Sequence, residues 1–302
     1  MESNAPSAPN AITNALSVDV EDYYQVQALG GVYRRADWDA CESRVERNTD
    51  AILQTFADAG AKATFFTLGW IAERHPDLVR RIVAQGHELA SHGYAHVRVD
   101  SQTPDAFRAD VRQTRHILED ISGAPVRGYR AATFSVGPHT PWAWRVLEEE
   151  GYAYSSSVYP VVRDNYGVRD APRVPYLPAG AERLIEIPIS TLRLGGRNWP
   201  IGGGGYFRLL PYAASQGAIA RLNDAEGAPA VFYIHPWEVD PDQPRPGGVP
   251  LKSRFRHYLN LDKTRGRLAR LAHAFRWDRM DRVFDVASPP APALSSPLRE
   301  AR

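Results

Sequence analysis

The chain has 302 residues, of which 43% are hydrophobic, enough to bury a core in one large domain or two small ones. Its formal net charge of +1 excludes a global electrostatic field that would recruit nucleic acid. A single cysteine, Cys41, excludes an internal disulfide. The sequence has neither an apolar run of membrane-span length nor a signal-peptide pattern, which predicts a cytoplasmic protein.

Short apolar runs alternate with helical patterns along the chain, which is typical of βα units around a mostly parallel sheet or barrel. The runs predicted as strands are 15–20, 63–68, 87–91, 126–130, 184–189 and 230–235. Pro104 after Thr103 predicts a helix start, and Gly60, Gly86 and Gly123 predict helix ends.

The ends of the chain differ in composition from its body. Residues 1–12 and 285–302 are rich in Pro, Ala and Ser, which predicts disordered tails. Residues 13–284 are predicted to form a single domain. Within it, a basic helical extension begins at about residue 251, since the stretch 251–282 holds ten Lys and Arg against three Asp.

An acidic cluster follows the first predicted strand, where ligands bind in α/β folds. Asp19 lies at the strand end, and Val20 separates it from Glu21 and Asp22. Strand alternation puts Glu21 on the same face as Asp19. Asp22 follows on a loop and could swing in, so both Glu21 and Asp22 stay candidate metal ligands.

Two histidines four residues apart, His92 and His96, follow the third predicted strand. A His-x-x-x-His pair often arises by chance, but here it lies where a buried strand turns into a loop, a common place for functional residues. Two imidazoles and one carboxylate could hold one divalent metal ion. Zinc is the first choice for hydrolysis, and cobalt or nickel would also suit this ligand set.

Four segments occur in the order of the polysaccharide deacetylase (NodB homology) motifs, and the chain resembles that family over roughly residues 14 to 280. The segments are Ser17-Val-Asp-Val-Glu-Asp22, Ser91-His-Gly-Tyr-Ala-His96, Gly128-Tyr-Arg-Ala131 and Tyr233-Ile-His235. Further segments resemble the exopolysaccharide-locus, exosortase-associated branch: 18–24, 203–208 and 232–238. The resemblance implies a distorted, seven-stranded (β/α)7 barrel.

Amide hydrolysis requires a base for the attacking water and an acid for the departing amine. Asp19 is the predicted base and His235 the predicted acid. The resemblance gives Arg130 the role of orienting the base. Many family members hold that arginine with an aspartate on the next strand, whereas this chain has Ser155 at the expected position.

Aromatic residues near the motifs are candidates for stacking on a sugar ring. Tyr206 and Trp237 are the predicted substrate-binding residues. Gly202 to Gly205 lacks the lysine and hydroxyl residue of a phosphate-binding loop. It is therefore predicted to be a flexible loop that permits close approach of a sugar chain.

The sequence thus predicts a metal-dependent deacetylase acting on N-acetylated amino sugars of a polysaccharide or its precursor. Two alternatives stay open: hydrolysis of a small ureide or cyclic imide on the same barrel, and a catalytically silent glycan-binding module. The basic stretch from residue 251 is predicted to pack on the barrel with a solvated face. Peripheral contact with a membrane or a lipid-linked sugar is a further hypothesis.

Overall fold

The structure, a computed structural model, describes residues 12–163 and 166–286. The strands are β1 (Thr13–Val20), β2 (Thr64–Thr67), β3 (Glu88–Ser91), β4 (Gly128–Tyr129), β5 (Tyr154–Ser155), β6 (Ile185–Glu186), β7 (Thr191–Leu194), β8 (Arg197–Pro200), β9 (Val231–Ile234) and β10 (Arg276–Asp278). The tails predicted at 1–12 and 285–302 lie outside the described residues, apart from residues 12, 285 and 286.

Helices connect and surround the strands. The α-helices are α1 (Val45–Asp58), α2 (Gly69–Arg74), α3 (Pro76–Ala84), α4 (Pro104–Ser122), α5 (Trp142–Glu149), α6 (Gly204–Leu209), α7 (Tyr212–Glu226), α8 (Leu251–Tyr258), α9 (Leu261–Ala274) and α10 (Met280–Val283). Short 3-10 turns lie at Tyr23–Gln25, Gln27–Leu29, Arg35–Ala40, Val99–Ser101, Ala132–Phe134 and Pro236–Val239.

Seven strands form a curved, parallel sheet in the order β9-β1-β2-β3-β4-β5-β6. β10 pairs in parallel with the start of β1. The two ends of the sheet meet where the Tyr233 amide donates to the Gly202 carbonyl over 2.7 Å and the Ser190 amide donates to the Val231 carbonyl over 3.4 Å. The predicted distorted (β/α)7 barrel is confirmed.

The predicted helix boundaries are also confirmed. The Thr103 hydroxyl accepts a hydrogen bond from the Ala106 amide, and Pro104 occupies the first position of α4. Gly123 ends α4 with a φ of 66°, a left-handed conformation that costs glycine little. Gly60 and Gly86 end α1 and α3 in the same way, with φ of 65° and 80°.

The antiparallel β7–β8 hairpin was not among the predicted strands. Its turn consists of Gly195 and Gly196, with φ of 58° and 75°. A Gly-Gly pair between two short runs is a recognised hairpin signal. The residues on either side of this turn alternate only weakly and include Pro200, which suits an edge strand, so that periodicity gives little strand signal here.

The basic stretch from residue 251 is part of the barrel assembly. Leu261, Leu268 and Leu271 of α9 are buried, which confirms a barrel-packing helix with a solvated basic face. β10, which follows α9, pairs with β1. Within the ranges that the structure describes, no helix combines the length and hydrophobicity of a bilayer span.

Candidate active site

The polar side chains that the sequence singles out converge at the carboxyl ends of the barrel strands, where α/β folds bind ligands. Their positions follow from the strands: Asp19 lies in β1, Glu21 follows β1, His92 follows β3, Arg130 follows β4, and His235 follows β9. All but His235 are almost inaccessible, whereas the His235 side chain keeps 19% of its surface exposed. The cluster therefore opens toward solvent beside His235.

Glu21, His92 and His96 each place one potential ligand atom within 4.8 Å of the other two. Glu21 Oε2 lies 2.9 Å from His96 Nε2 and has no other partner among the described residues. A buried carboxylate oxygen with a single imidazole neighbour keeps a lone pair that a cation between it and the imidazoles would satisfy. These three side chains therefore fit the ligand set of a divalent metal ion.

His92 is oriented by the chain that follows β4. Its Nδ1 lies 2.8 Å from the Arg130 carbonyl oxygen, which accepts the ring proton and leaves Nε2 as the free nitrogen. Burial, opposed mainly by the Asp19 carboxylate, lowers the pKa of His92 to about 4. The ring is therefore neutral at neutral pH, as a metal ligand must be.

His96 has a strained backbone, with a φ of 53° in the left-handed region. This conformation is uncommon for a residue with a side chain and costs on the order of 1–3 kcal/mol. The same turn contains Gly93, whose φ is 74° and whose carbonyl accepts a hydrogen bond from the Gly69 amide. The turn brings the ring centres of His92 and His96 to 5.2 Å.

Asp19 and Arg130 form a buried ion pair inside the barrel, with 2.5 Å between Oδ1 and Nη1. The Arg130 side chain is fully inaccessible and also donates to the hydroxyls of Ser17 and Ser156, at 2.9 and 3.0 Å. The other oxygen of Asp19, Oδ2, lies 3.9 Å from Nε2 of His235. Arg130 thus fixes one oxygen of Asp19 while the second faces the cluster.

Next to β5, the serine that contacts Arg130 is Ser156, whereas the sequence analysis expected Ser155 at this position. The Ser156 carbonyl accepts from Arg130 Nε at 3.0 Å, in addition to its hydroxyl contact. The Ser155 hydroxyl instead donates to Ser157 Oγ over 2.8 Å. Because β5 ends at Ser155, strand alternation does not govern the next residue.

Glu21 is held ionised by its neighbours. Burial alone raises the pKa of Glu21, but the charge and hydrogen bond of His96 and the charge of His235 outweigh it and hold that pKa well below its usual range. The Trp237 indole donates to Oε1 over 3.2 Å. One oxygen of the carboxylate is thus fixed by Trp237, and the other faces the histidine pair.

His235 is prepared to carry a proton. Its Nδ1 lies 2.7 Å from Oε1 of Glu238, and its Nε2 lies 3.5 Å from Oε1 of Glu21. Burial lowers the pKa of His235, but the hydrogen bond to Glu238 and the charges of Glu21, Glu238 and Asp19 raise it to about 9. The imidazole is therefore protonated at neutral pH and presents Nε2 to the cluster.

The sequence analysis missed Glu238 and Arg208, which support His235. Arg208 Nε donates to Glu238 Oε2 over 2.6 Å, and both side chains are almost completely buried. Glu238 also accepts from the His235 amide, a capping-box arrangement that the spacing His-Pro-x-Glu could have indicated. Arg208 lies 30 residues from Glu238 and carries no such signal.

The glycine run at 202–205 packs tightly against this support. A Cβ on Gly204 would lie 2.1 Å from Glu238 Oε1, and one on Gly203 would lie 2.7 Å from the Tyr233 ring. These glycines therefore permit close packing against Tyr233 and Glu238. They do not form the flexible, sugar-facing loop that the sequence analysis predicted.

We expect Gly204→Ala to lower the free energy of unfolding by about 1–3 kcal/mol, because the new methyl group overlaps the Glu238 carboxylate. Gly205→Ala is the matched control, since nothing lies within 4 Å of a Cβ at that position. It should leave stability unchanged or slightly raised. Denaturant unfolding of both variants measures the difference, and equal stability would contradict the packing described.

Asp22 lies outside the metal-ligand cluster because its carboxylate is occupied by other donors. Oδ1 accepts from the Tyr23 amide at 2.9 Å. Oδ2 accepts from the amides of Arg44 and Val45, at 2.6 and 2.9 Å, and from the Ser43 hydroxyl at 3.1 Å. Asp22 therefore ties the chain after β1 to the start of α1. Of the two open candidates, the structure brings only Glu21 to the histidines.

The two predicted substrate-binding aromatic residues differ in accessibility. Trp237 is 5% exposed, and its faces are covered by His235 and His257, with ring centres at 5.2 and 4.3 Å. It therefore offers no free face to a sugar, which corrects that prediction. Tyr206 is partly exposed, and its hydroxyl accepts a hydrogen bond from Arg163. Tyr206 stays a candidate for substrate contact.

Two family models match adjoining parts of the chain. A polysaccharide deacetylase model matches residues 37–155, and a domain of unknown function, DUF3473, matches residues 156–285. The junction falls directly after β5, within the continuous sheet. Strands from both matched regions, together with β1, which precedes them, therefore build the barrel and its site.

Curated relatives match short stretches of the chain. A peptidoglycan-N-acetylglucosamine deacetylase of Bacillus cereus is 36% identical over 75 residues, 25% of this chain and 27% of the relative. A chitooligosaccharide deacetylase of Rhizobium leguminosarum bv. trifolii is 35% identical over 77 residues, 26% of this chain and 35% of the relative. The chain thus matches well under two thirds of the length of these relatives.

Solved structures match almost the whole chain. A Mycobacterium smegmatis protein, provisionally assigned as a polysaccharide deacetylase, has a TM-score of 0.58 at 20% identity and covers 97% of this chain and 99% of its own. A PuuE allantoinase has a TM-score of 0.57 at 18% identity and covers 95% and 94%. At these identities the likeness shows the fold.

Fold and site together define an α/β-barrel protein with a candidate metal centre at the carboxyl ends of its strands. Residues 37–155 carry a polysaccharide deacetylase (NodB homology) region, and residues 156–285 carry a DUF3473 region.

Proposed function

We propose that this protein is a metal-dependent deacetylase that removes N-acetyl groups from amino-sugar units of a polysaccharide or its precursor and releases acetate. The proposal rests on the convergence of Glu21, His92 and His96 with the Asp19 carboxylate and the His235 imidazole. Hydrolysis of an acetamide requires a polarised carbonyl, an activated water and a proton for the amine. This set of groups can meet all three needs.

Glu21, His92 and His96 would hold the metal ion. Zinc is our first choice, and cobalt or nickel also suits two imidazoles and one carboxylate. When bound, the ion would polarise the acetyl carbonyl and lower the pKa of the attacking water. The position of Glu21 Oε2 beside His96 Nε2 and the free Nε2 of His92 support this assignment.

Asp19 acts as the general base in this proposal, and His235 as the general acid. Arg130 holds Oδ1 of Asp19, which keeps the carboxylate oriented and leaves Oδ2 to accept a proton from water. Glu238 holds Nδ1 of His235, so that Nε2 can donate its proton to the departing amine.

The relatives support the substrate class. Proteins named as deacetylases of peptidoglycan N-acetylglucosamine and of chitooligosaccharides are 36% and 35% identical to stretches of this chain, and the deacetylase model covers the region that supplies His92, His96 and Arg130. We therefore propose an N-acetylated oligosaccharide or polysaccharide as substrate. Membership of the exopolysaccharide-locus branch remains a prediction, and residues 156–285 match a domain without an assigned function.

Substrate comparison tests the proposal. Metal-loaded protein is incubated with N-acetylglucosamine oligomers, with allantoin as a representative ureide, and with acetylated control esters. We expect acetate and a free amine from the oligomers and no ureide hydrolysis. Ureide hydrolysis would favour the small-amide alternative on the shared fold. Oligomer binding without turnover, unaffected by chelation, would favour the glycan-binding module.

The pH profile tests the pairing of His235 with Glu238. A general acid must be protonated, so activity should fall as pH rises through the His235 pKa, raised to about 9. Glu238→Gln removes the negative charge at Nδ1, which lowers that pKa. We expect the alkaline limb of kcat/KM to move to lower pH in this variant, with acid-side activity less affected.

Glu42→Gln is the control for this profile, because Glu42 is exposed and pairs only with Arg44 among the described residues. Its pH profile should match that of the native protein. Thermal unfolding is measured alongside, since Glu238→Gln weakens the buried pair with Arg208. A well-folded Glu238→Gln protein with an unmoved alkaline limb would argue against the assigned role of His235.

A further inference from the structure

Helix α8 carries its apolar side chains on the outside. Leu251 and Phe255, one helical turn apart, are 85% and 59% exposed. On the opposite side of the helix, His257 is buried and stacks on Trp237. Adjacent exposed apolar residues of this size on a helix that is otherwise polar indicate an interaction surface.

Basic side chains flank these two apolar residues. At 100° per residue, Lys252 and Arg256 lie on one side of the Leu251–Phe255 stripe and Arg254 lies on the other. All three are exposed. Between Gln243 and Leu261 the chain has four Lys or Arg residues and no Asp or Glu. We call residues 251, 252, 254, 255 and 256 the α8 surface.

The α8 surface adjoins the candidate active site. His257 of α8 packs on Trp237, whose indole donates to Glu21 of the metal-ligand cluster. Arg208, which holds Glu238, donates to the His257 carbonyl at the end of the same helix. The buried side of α8 therefore packs on residues that support the candidate active site.

We propose that the α8 surface binds the surface of an anionic lipid bilayer, with Leu251 and Phe255 entering the headgroup region and Lys252, Arg254 and Arg256 contacting anionic headgroups. This pattern, an apolar stripe between basic flanks, is that of helices that lie in the plane of a membrane interface. It would place the candidate active site next to substrates that are attached to lipids.

An anionic polysaccharide in solution is the competing partner, and the apolar stripe argues against it. A hydrated glycan contacts the basic residues but offers no apolar phase for Leu251 and Phe255. A bilayer accommodates both kinds of side chain. Each basic residue near an anionic surface strengthens binding about fivefold, and each apolar side chain that is buried strengthens it about tenfold or more.

Vesicle co-sedimentation of the full chain tests this proposal. Vesicles of phosphatidylcholine with phosphatidylglycerol are compared with vesicles of phosphatidylcholine alone, at low and high salt. We expect binding to the anionic vesicles that weakens with salt. Leu251→Ser/Phe255→Ser should weaken binding by about a hundredfold or more. Lys252→Gln/Arg254→Gln should weaken it by about twentyfold or more.

Matched controls separate this surface from general charge and hydrophobicity. Arg221→Gln/Arg276→Gln removes the same number of positive charges at exposed positions away from α8, with Arg276 at the amino end of the barrel. Val174→Ser removes an exposed apolar side chain elsewhere. Both controls should bind as the native protein does. Acetate release from a short chitooligosaccharide in solution should be unchanged in all variants, which keeps this test separate from the proposed function.

Three outcomes would overturn the proposal. The first is no binding to anionic vesicles at low salt. The second is an equal loss of binding in the α8 variants and the matched controls. The third is a native protein that binds soluble polygalacturonate but not vesicles, with the polygalacturonate binding lost in the α8 charge variant. That result would assign the surface to an anionic glycan.

Discussion

Asp19→Asn should lower kcat for acetate release by about a hundredfold to ten-thousandfold, the usual contribution of a general base. Asparagine keeps the shape of the side chain and can accept a hydrogen bond from Arg130, but it cannot accept a proton from water. Because Asp19 is not among the three proposed ligands, metal content should stay near that of the native protein. Steady-state kinetics and elemental mass spectrometry measure the two quantities.

Ser17→Ala is the matched control for Asp19→Asn. It removes another partner of the same guanidinium nitrogen, Nη1 of Arg130, at 2.9 Å, and leaves the carboxylate in place. We expect a small effect on kcat. Because Asp19→Asn leaves a buried arginine uncompensated, it should also cost about 3–5 kcal/mol of stability. A folded Asp19→Asn protein with native kcat would remove Asp19 from the mechanism.

His92→Ala/His96→Ala should abolish metal binding and lower acetate release by about a thousandfold or more. The loss of Lewis-acid stabilisation alone corresponds to several kcal/mol of transition-state energy. Only Glu21 would remain of the three ligands, which is too few for a stable site. Metal per chain and acetate release are measured on the same preparation.

His87→Ala is the matched control for the histidine pair. His87 is buried immediately before β3, and its Nδ1 accepts a hydrogen bond from the Ala63 amide, away from the metal-ligand cluster. Its loss should lower stability and leave metal content unchanged. Retention of metal by the double variant, or equal metal loss in His87→Ala, would contradict the ligand assignment.

The sequence pattern predicted βα units around a mostly parallel sheet or barrel, and the family resemblance implied the seven-stranded barrel and the meeting of its main polar groups. Motifs at the ends of separate strands must come together when parallel strands share one sheet, because their carboxyl ends lie at the same edge. This reasoning placed Asp19, His92, Arg130 and His235 near one another, as the structure has them. The buried strand and following loop around the histidine pair were also foreseeable from local pattern.

Other features of the site depend on contacts between distant parts of the chain. Glu21 and Asp22 differ in role because the backbone amides of residues 44 and 45 donate hydrogen bonds to the Asp22 carboxylate. The burial of Trp237 depends on His257 of α8. The support of Glu238 by Arg208 depends on close packing at Gly204. Spacing and periodicity carry no information on such pairings, because each requires the tertiary fold.

The most direct test of metal-dependent deacetylation is to titrate metal-free protein with zinc. Acetate release from N-acetylglucosamine oligomers is measured at each step. We expect no acetate without metal, a linear rise up to one zinc ion per chain, and reversal by a chelator. Acetate release by the metal-free protein would contradict the metal-dependent mechanism. No acetate at any loading with zinc, cobalt or nickel would contradict deacetylation of these amino sugars.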